Sequence, residues 1–289
     1  MTESRAFEDV RLDIDDPVAV VTIDRPESMN AFRGRTLREL REAFSLAEHD
    51  RRVVGIVLTG AGDRAFSAGL DVAVLHAQVA RDGAAGVAGA ADEGWRGPFP
   101  GSPAMADMQR MLTWPLTIRK PVIAAVNGVC AGGAFLLAAA CDLRFAADTA
   151  RFTTVYSRRG LIAEQGISWL LPRLVGPAHA LDLLWSSRTI PAQEALAIGF
   201  AQRVVGPDRL LDECRAYIAE LARVASPHSM MVSKQLVYQH LQRALGDAVD
   251  QTDALMRTAF EGTDPVEGAV SFLERRDPRF ERLDVPPPV

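Results

Sequence analysis

Two glycine-rich turns hold the residues best suited to chemistry in this chain. The first, GAGDRAFSAGLD, spans 60–71, and the second, NGVCAGGAFLLAAACD, spans 127–142. Each follows a short apolar run and leads into helical spacing, the first near Leu70 and the second near Gly132. The first N–H groups of a helix lack intrahelical partners and carry the positive end of its dipole. Two such amides converging would bind a carbonyl oxygen that becomes negative during a reaction. Taken singly, Gly132 and Gly133 are better explained by tight helix–strand packing. The two turns in this order favour the oxyanion role.

Other side chains offer less. Glu164 lies in GLIAEQGISW, flanked by Ile162, Ala163, Ile167 and Trp169, just before an apparent helix. Read alone, it is a carboxylate that interacts with a helix dipole. Ser67 in AFSAG lacks the first glycine and the preceding strand of a nucleophile elbow. Nothing near Cys130 would lower its pKa, so it reads as a small apolar filler. His49, His76, His179, His228 and His240 form no ligand spacing, so no metal site is expected. No GxGxxG, GxxxxGK[ST] or HExxH occurs, which removes support for dinucleotide, P-loop and zinc-hydrolase readings.

The elements that must position the turns follow from periodicity. Residues 10–14 and 18–24 alternate around Asp15-Asp16-Pro17 and predict a β-hairpin. Residues 34–49 place Leu37, Leu40, Ala43, Phe44 and Ala47 on one helical face. Apolar runs at 53–60, 121–128 and 143–147 predict buried strands, and their alternation with helices predicts an α/β core. Residues 79–104 lack steady periodicity and predict a long mobile loop, either a lid or a plain surface insertion. From 177 onward the pattern is helical, at 177–186, 191–199, 207–225 and 229–260 and again after Asp264-Pro265. One strand-like piece lies at 202–205, and the Pro-rich tail at 286–288 is expected to fray.

Composition narrows the class of function. The 289 residues are 48% hydrophobic and 24% charged, as in globular proteins. A net charge of −5 argues against a basic nucleic-acid groove. Lys120 and Lys234 are the only lysines, so an anionic ligand would meet arginine forks or backbone amides. Cys130, Cys141 and Cys214 suggest neither a disulfide framework nor a zinc pattern. The polar N-terminus reads as no signal peptide, and no apolar run reaches the ~18 residues of a membrane span. A cytoplasmic protein with no membrane and no nucleic-acid partner is expected.

The segments RPESMNAF (25–32), AFSAGLD (65–71), KPVIAAVNGVCAGGAFLLAAACDLRFA (120–146) and a Gly-rich turn near 160–166 resemble the crotonase, or enoyl-CoA hydratase/isomerase, superfamily. The resemblance covers roughly residues 8–280 and rests on motifs in register. It implies an α/β fold, a crotonase-like spiral of ββα turns over 1–205 with a long insertion near 72–119. A helical C-terminal region over 206–289 would serve oligomerisation and site closure, in a homotrimer or hexamer. The substrate would be an acyl-CoA thioester, coenzyme A entering with it and no cofactor being covalently held. Carried over by position, the oxyanion amides are those of Leu70 and Gly133. Contacts to substrate and CoA fall at Met29, Ala31, Ala68, Asp71, Val72, Gly132, Leu136 and Tyr156, with Phe260 and Arg276 near the CoA end. Asp71 is read as a brace of its loop.

The sequence departs from the hydratase pattern at both of its glutamates. The first position, three residues after Gly133, is Leu136, and the second is Tyr156. Leucine exchanges no proton, and a phenol of pKa near ~10 is a poor base. Glu164 instead resembles the lone glutamate in the ITEGG-type segment of peroxisomal-type Δ3,Δ2-enoyl-CoA isomerases. One base suffices to move a double bond between C3 and C2, and an apolar pocket would tune it. Tyr156 lines the substrate position, either donating a hydrogen bond to substrate or, the favoured reading, as packing. Hydration of a 2-enoyl-CoA is the alternative. A catalytically silent acyl-CoA or protein-binding module, or thioester hydrolysis or decarboxylation on the same oxyanion hole, completes the set.

Overall fold

The computed structural model describes residues 3–71, 76, 80–81 and 99–285. The expected hairpin forms as β2 (Val10–Asp15) and β3 (Val18–Ile23), paired antiparallel with Leu12 opposite Val21. A strand not foreseen, β1 (Glu3–Ala6), is exposed and adds to the β2 edge. The helix over 34–49 forms as α1 (Gly34–His49). The three apolar runs become β4 (Gly55–Gly60), β6 (Val122–Val126) and β8 (Leu143–Ala147).

These strands make one seven-stranded sheet in the order β1-β2-β3-β4-β6-β8-β11, where β11 is Arg203–Val205. From β3 onward neighbours are parallel. Central parallel strands are covered on both faces, which is why they read as unbroken apolar runs. The two-residue period then divides the core. Val18, Val20, Val57, Ile123 and Phe145 face Leu210, Cys214 and Ile218 of α5 (Leu210–Val224). Ala19, Val21, Ile56, Leu58, Ala124 and Val126 face the larger cluster, with Leu40 and Phe44 of α1.

A second, four-stranded sheet of very short strands runs β10-β9-β7-β5: Ile190–Pro191, Arg151–Thr153, Val129–Ala131 and Ala65–Ser67. No strand in it exceeds three residues, too few for alternation to register, so nothing in the residue pattern announces it. It is this sheet that brings the two glycine turns side by side, because β5 pairs with β7 and β7 with β9.

The remaining helices are α2 (Gly133–Ala139), α3 (Ile167–Ser186), α4 (Ala192–Ala197), α6 (Pro227–His240), α7 (Leu245–Ala259) and α8 (Asp264–Glu274). Helix α3 starts ten residues before the periodic stretch at 177–186, and Gly176 interrupts it between Pro172 and Pro177. The run at 229–260 is two helices, parted by the turn at 241–244. Helix α6 is latched to the sheet: Asp142 accepts from Lys234 Nζ at 2.7 Å, Tyr238 Oη at 2.9 Å and Val122 N at 2.7 Å. The helix expected near Leu70 and the expected loop at 79–104 lie largely outside the described residues, as does the tail at 286–288.

Candidate active site

The first turn is held against the segment that precedes α1. Phe32 N–H donates to Gly69 O at 2.7 Å, and Asp71 N–H donates to Phe32 O at 2.8 Å. Both bonds of this parallel bridge use the residues flanking Leu70. The Leu70 amide therefore points away from its neighbour strand. Gly69 adopts φ +87°, and a Cβ there would lie 2.6 Å from Ala131 O and 3.1 Å from Gly133 N. Only glycine lets the first turn approach the second this closely.

The second turn passes from β7 through Gly132, at φ 56° and ψ −119°, into α2. Gly132 N–H donates to Thr153 O at 3.0 Å, and Gly132 O accepts from Leu136 N at 3.2 Å. Gly133 is the first helical residue, so its N–H is one of the orphan donors of a helix start. Among the described residues neither the Leu70 nor the Gly133 amide has an acceptor. At the far end of α2 the buried Arg144 donates to Cys141 O at 2.8 Å and Phe200 O at 2.5 Å. A cation at a helix C-terminus complements the dipole and fixes the axis that aims Gly133.

Asp71 braces the first turn. Its Oδ2 accepts from Arg25 Nη1 at 3.1 Å, and the same nitrogen reaches Ala31 O at 2.5 Å. Arg25 Nε lies 3.7 Å from Asp9, which also accepts from Arg33 and Thr36. Burial alone would raise the Asp9 pKa, but those hydrogen bonds and charges prevail and hold it below the usual carboxylate range. The buried Asn30, at φ 55°, donates to Ala61 O and Ala65 O and accepts from Arg25 N. Sequence reading missed Arg25 and Asn30 as braces. The signal was available, since Asn tolerates the left-handed conformation better than most residues. Met29 O accepts from Ala68 N at 3.0 Å, and Ala31 is buried beside them.

Glu164 sits in a turn at 163–166 that ends in Gln165 at φ 56° and Gly166 at φ 92° and opens α3. Its carbonyl accepts from Ile167 N at 3.1 Å. The residue is exposed, as are Leu161 and Ile162, in place of the apolar burial expected for it. The reason is local: the turn protrudes ahead of α3, and apolar packing begins only at Ile167. Two packing routes nevertheless lead from this turn to the second glycine turn. A Cβ on Gly166 would lie 3.4 Å from Thr113 Cγ2, and one on Gly133 would lie 3.3 Å from Leu112 Cδ1. On the other side, a Cβ on Gly132 would lie 3.0 Å from Val155, and the next residue, Tyr156, feels the Glu164 charge. Burial, with that charge adding, pushes the Tyr156 phenol far up.

The other sequence candidates separate. Leu136 is fully buried one turn along α2, and Cys130 is a buried thiol raised well above its usual pKa by burial. Ser67 is buried, and its Oγ accepts from Gly69 N at 3.1 Å. Val72 lies outside the described residues. Phe260 is 68% exposed at the end of α7, and the Arg276 guanidinium is taken up by Glu267 and Glu274. No described contact of either residue reaches the glycine turns within one chain.

Two cavities flank the site. One of about 280 Å³ is lined by Pro26, Met29, Asn30, Gly62 and Arg64, among others. Another of about 410 Å³ lies beside the Glu164 turn, lined by Asp107, Met108, Arg110, Thr113, Leu116, Gln165, Gly166, Trp169 and Gln242. Among the described residues no group of three or more His, Cys, Asp or Glu could hold a metal ion. None of the described helices is long and apolar enough to cross a membrane.

Comparison with known proteins bears on the family and the fold. The family model for enoyl-CoA hydratase/isomerase matches residues 13–97 and 103–283. A crotonyl-CoA hydratase of Syntrophomonas wolfei is 34% identical over 95% of this chain and 98% of its own. A carnitinyl-CoA dehydratase of Salmonella arizonae is 33% identical over 95% and 98%. Among solved structures, an enoyl-CoA hydratase from Bacillus anthracis superposes with a TM-score of 0.82 at 25% identity, covering 95% of this chain and 99% of that one. One from Polaromonas sp. JS666 gives 0.81 at 27%, covering 94% and 99%. The chain belongs to the enoyl-CoA hydratase/isomerase family and is an enzyme of the crotonase superfamily.

Proposed function

We propose that this enzyme holds the carbonyl oxygen of an acyl-CoA thioester between the amides of Leu70 and Gly133. Glu164 then serves as the single base that moves a double bond between C3 and C2. The carboxylate takes a proton from C2, and the electron pair moves onto the thioester oxygen as an enolate. The two amides stabilise that charge. Return of the proton to C4 completes the shift from β,γ to α,β, with no water consumed. The observation that carries this reading is the chemistry at three positions. Leu136 and Tyr156 stand where hydration would need carboxylates, while Glu164 occupies the turn joined by packing to Gly133.

Coenzyme A would lie along Met29, Ala31, Ala68 and Val72, with the cavity at Met29 as the seat of its nucleotide end. Hydration of a 2-enoyl-CoA is the second reading, favoured by the relatives whose names are hydratases. One assay separates them: 2-enoyl-CoA and 3-enoyl-CoA are each offered, and products are separated by chromatography and followed by mass spectrometry. The isomerase reading expects interconversion of the two without mass change. Rapid gain of water from the first, with no turnover of the second, would replace it by hydration.

The helical C-terminal region would assemble the protein as a homotrimer or hexamer. Support comes from apolar side chains left open on α7 and α8, among them Leu245, Phe260, Phe272 and Leu273. Phe260 would then meet coenzyme A only across a subunit boundary. Light scattering after gel filtration tests this, and a monomeric mass would overturn it. Residence in a reducing cytoplasm suits the free thiols of Cys130, Cys141 and Cys214.

A further inference from the structure

Leu112 and Thr113 are consecutive, and they touch different parts of the site. Leu112 backs Gly133, whereas Thr113 backs Gly166 and lines the cavity of about 410 Å³. That cavity therefore opens one residue away from the packing behind the oxyanion glycine and directly beside the turn of Glu164. Its largest apolar side chain is Trp169, which packs on the main core and is held from outside by Arg173. The Arg173 guanidinium lies 4.1 Å over the indole, and its Nη1 donates to Trp169 O at 2.8 Å. Gln242, from the turn between α6 and α7, closes another side, and α6 is tied to the wall by Gln239 Nε2 donating to Ala104 O at 3.1 Å.

Resting on the thioester reading above, the geometry points to this cavity as the seat of the far end of the acyl chain, with Trp169 as the residue that sets chain size. At a water-like share of about 30 Å³ per carbon, the space holds at most about 14 carbons, and with imperfect filling suits roughly eight to ten or a ring. A four-carbon acyl group would leave most of it empty. The substrates are thus medium-chain or ring-bearing acyl thioesters, and the site selects them by fit.

Calorimetric titration of the full chain with butyryl-, octanoyl- and dodecanoyl-CoA tests this without relying on turnover. Burial of each methylene is worth up to about fourfold in affinity, so wild type should prefer octanoyl to butyryl by at least ~10-fold. Trp169→Ala should move the optimum to dodecanoyl. Gln242→Trp, on an exposed turn where folding is not at risk, should weaken octanoyl about tenfold and leave butyryl within about twofold. Equal affinities for the three thioesters in wild type, or an unaltered profile in Gln242→Trp, would remove the acyl chain from this cavity while leaving coenzyme A binding intact. Failure of all three to bind would overturn the thioester reading and this inference together.

Discussion

The glycine turns and the turn of Glu164 divide the site into two unlike regions. The former are packed against two sheets with Leu70 and Gly133 half-buried, are braced by Arg25, Asn30 and Arg144, and what they offer is backbone. The latter protrudes ahead of α3, is exposed, and offers one side chain. The difference is instructive about how such sites change chemistry. Amides that bind a developing negative charge must be preorganised, so they belong to the rigid part of the fold. A proton-transfer group can be moved to another loop while the oxyanion amides stay in place. Under the proposed mechanism, Leu136 and Tyr156 against Glu164 would be such a relocation in this chain.

Substitutions in each region sharpen that contrast. Glu164→Gln should lower kcat by about 10³-fold with thioester affinity preserved, because it removes a base and little else. Turnover within a few-fold of wild type would assign the base elsewhere. Gly69→Ala should cost about 10²-fold in kcat and also lower Tm, since its Cβ would press on Ala131 O and force the two amides apart. Normal activity in the Gly69→Ala enzyme would mean that the contact between the turns is not needed.

Arg144→Met should be destabilising by about 3 kcal/mol in urea unfolding, because the carbonyls of Ala138 and Ala139 at the end of α2, and those of Cys141 and Phe200, lose their buried donor. Stability equal to wild type would show that α2 needs no anchor there. A pH effect is expected from the buried Lys120, which donates to Ala47 O and Asp50 O away from both turns. Burial depresses the Lys120 pKa to about 8, so between about pH 8 and 10.5 the unfolded chain binds the extra proton. Lys120 thus weakens the fold below pH 8, and that penalty is relieved as pH rises through the window, by about 3 kcal/mol. The stability of Lys120→Met relative to wild type should fall over the same window, and a parallel pair of Tm curves would refute this. Tyr156→Phe is expected to change kcat by less than about threefold, far below the loss of an acid or base. A large drop would bring the phenol into contact with substrate.

Much of this was legible in the chain itself. Helix α1 falls where its periodicity puts it, since it is long enough for its apolar face to register, and strand β8 falls on its apolar run. The glycine turns, the absence of carboxylates at 136 and 156, and the family follow from residue types and spacing. The two- and three-residue strands of the second sheet were not legible, because their pairing depends on neighbours distant in sequence, and neither was the split of 229–260, where no Pro marks the turn at 241–244.

The sequence by itself determined which groups are available: two turns rich in amides, one acidic side chain near them, and nothing to hold a metal by spacing. Tertiary structure decided their mutual distances, the exposure of Glu164, and the cavity walled by Thr113, Trp169 and Gln242. Local propensity acts over a few residues, whereas a wall built from residues 113, 169 and 242 exists only after the chain has closed on itself.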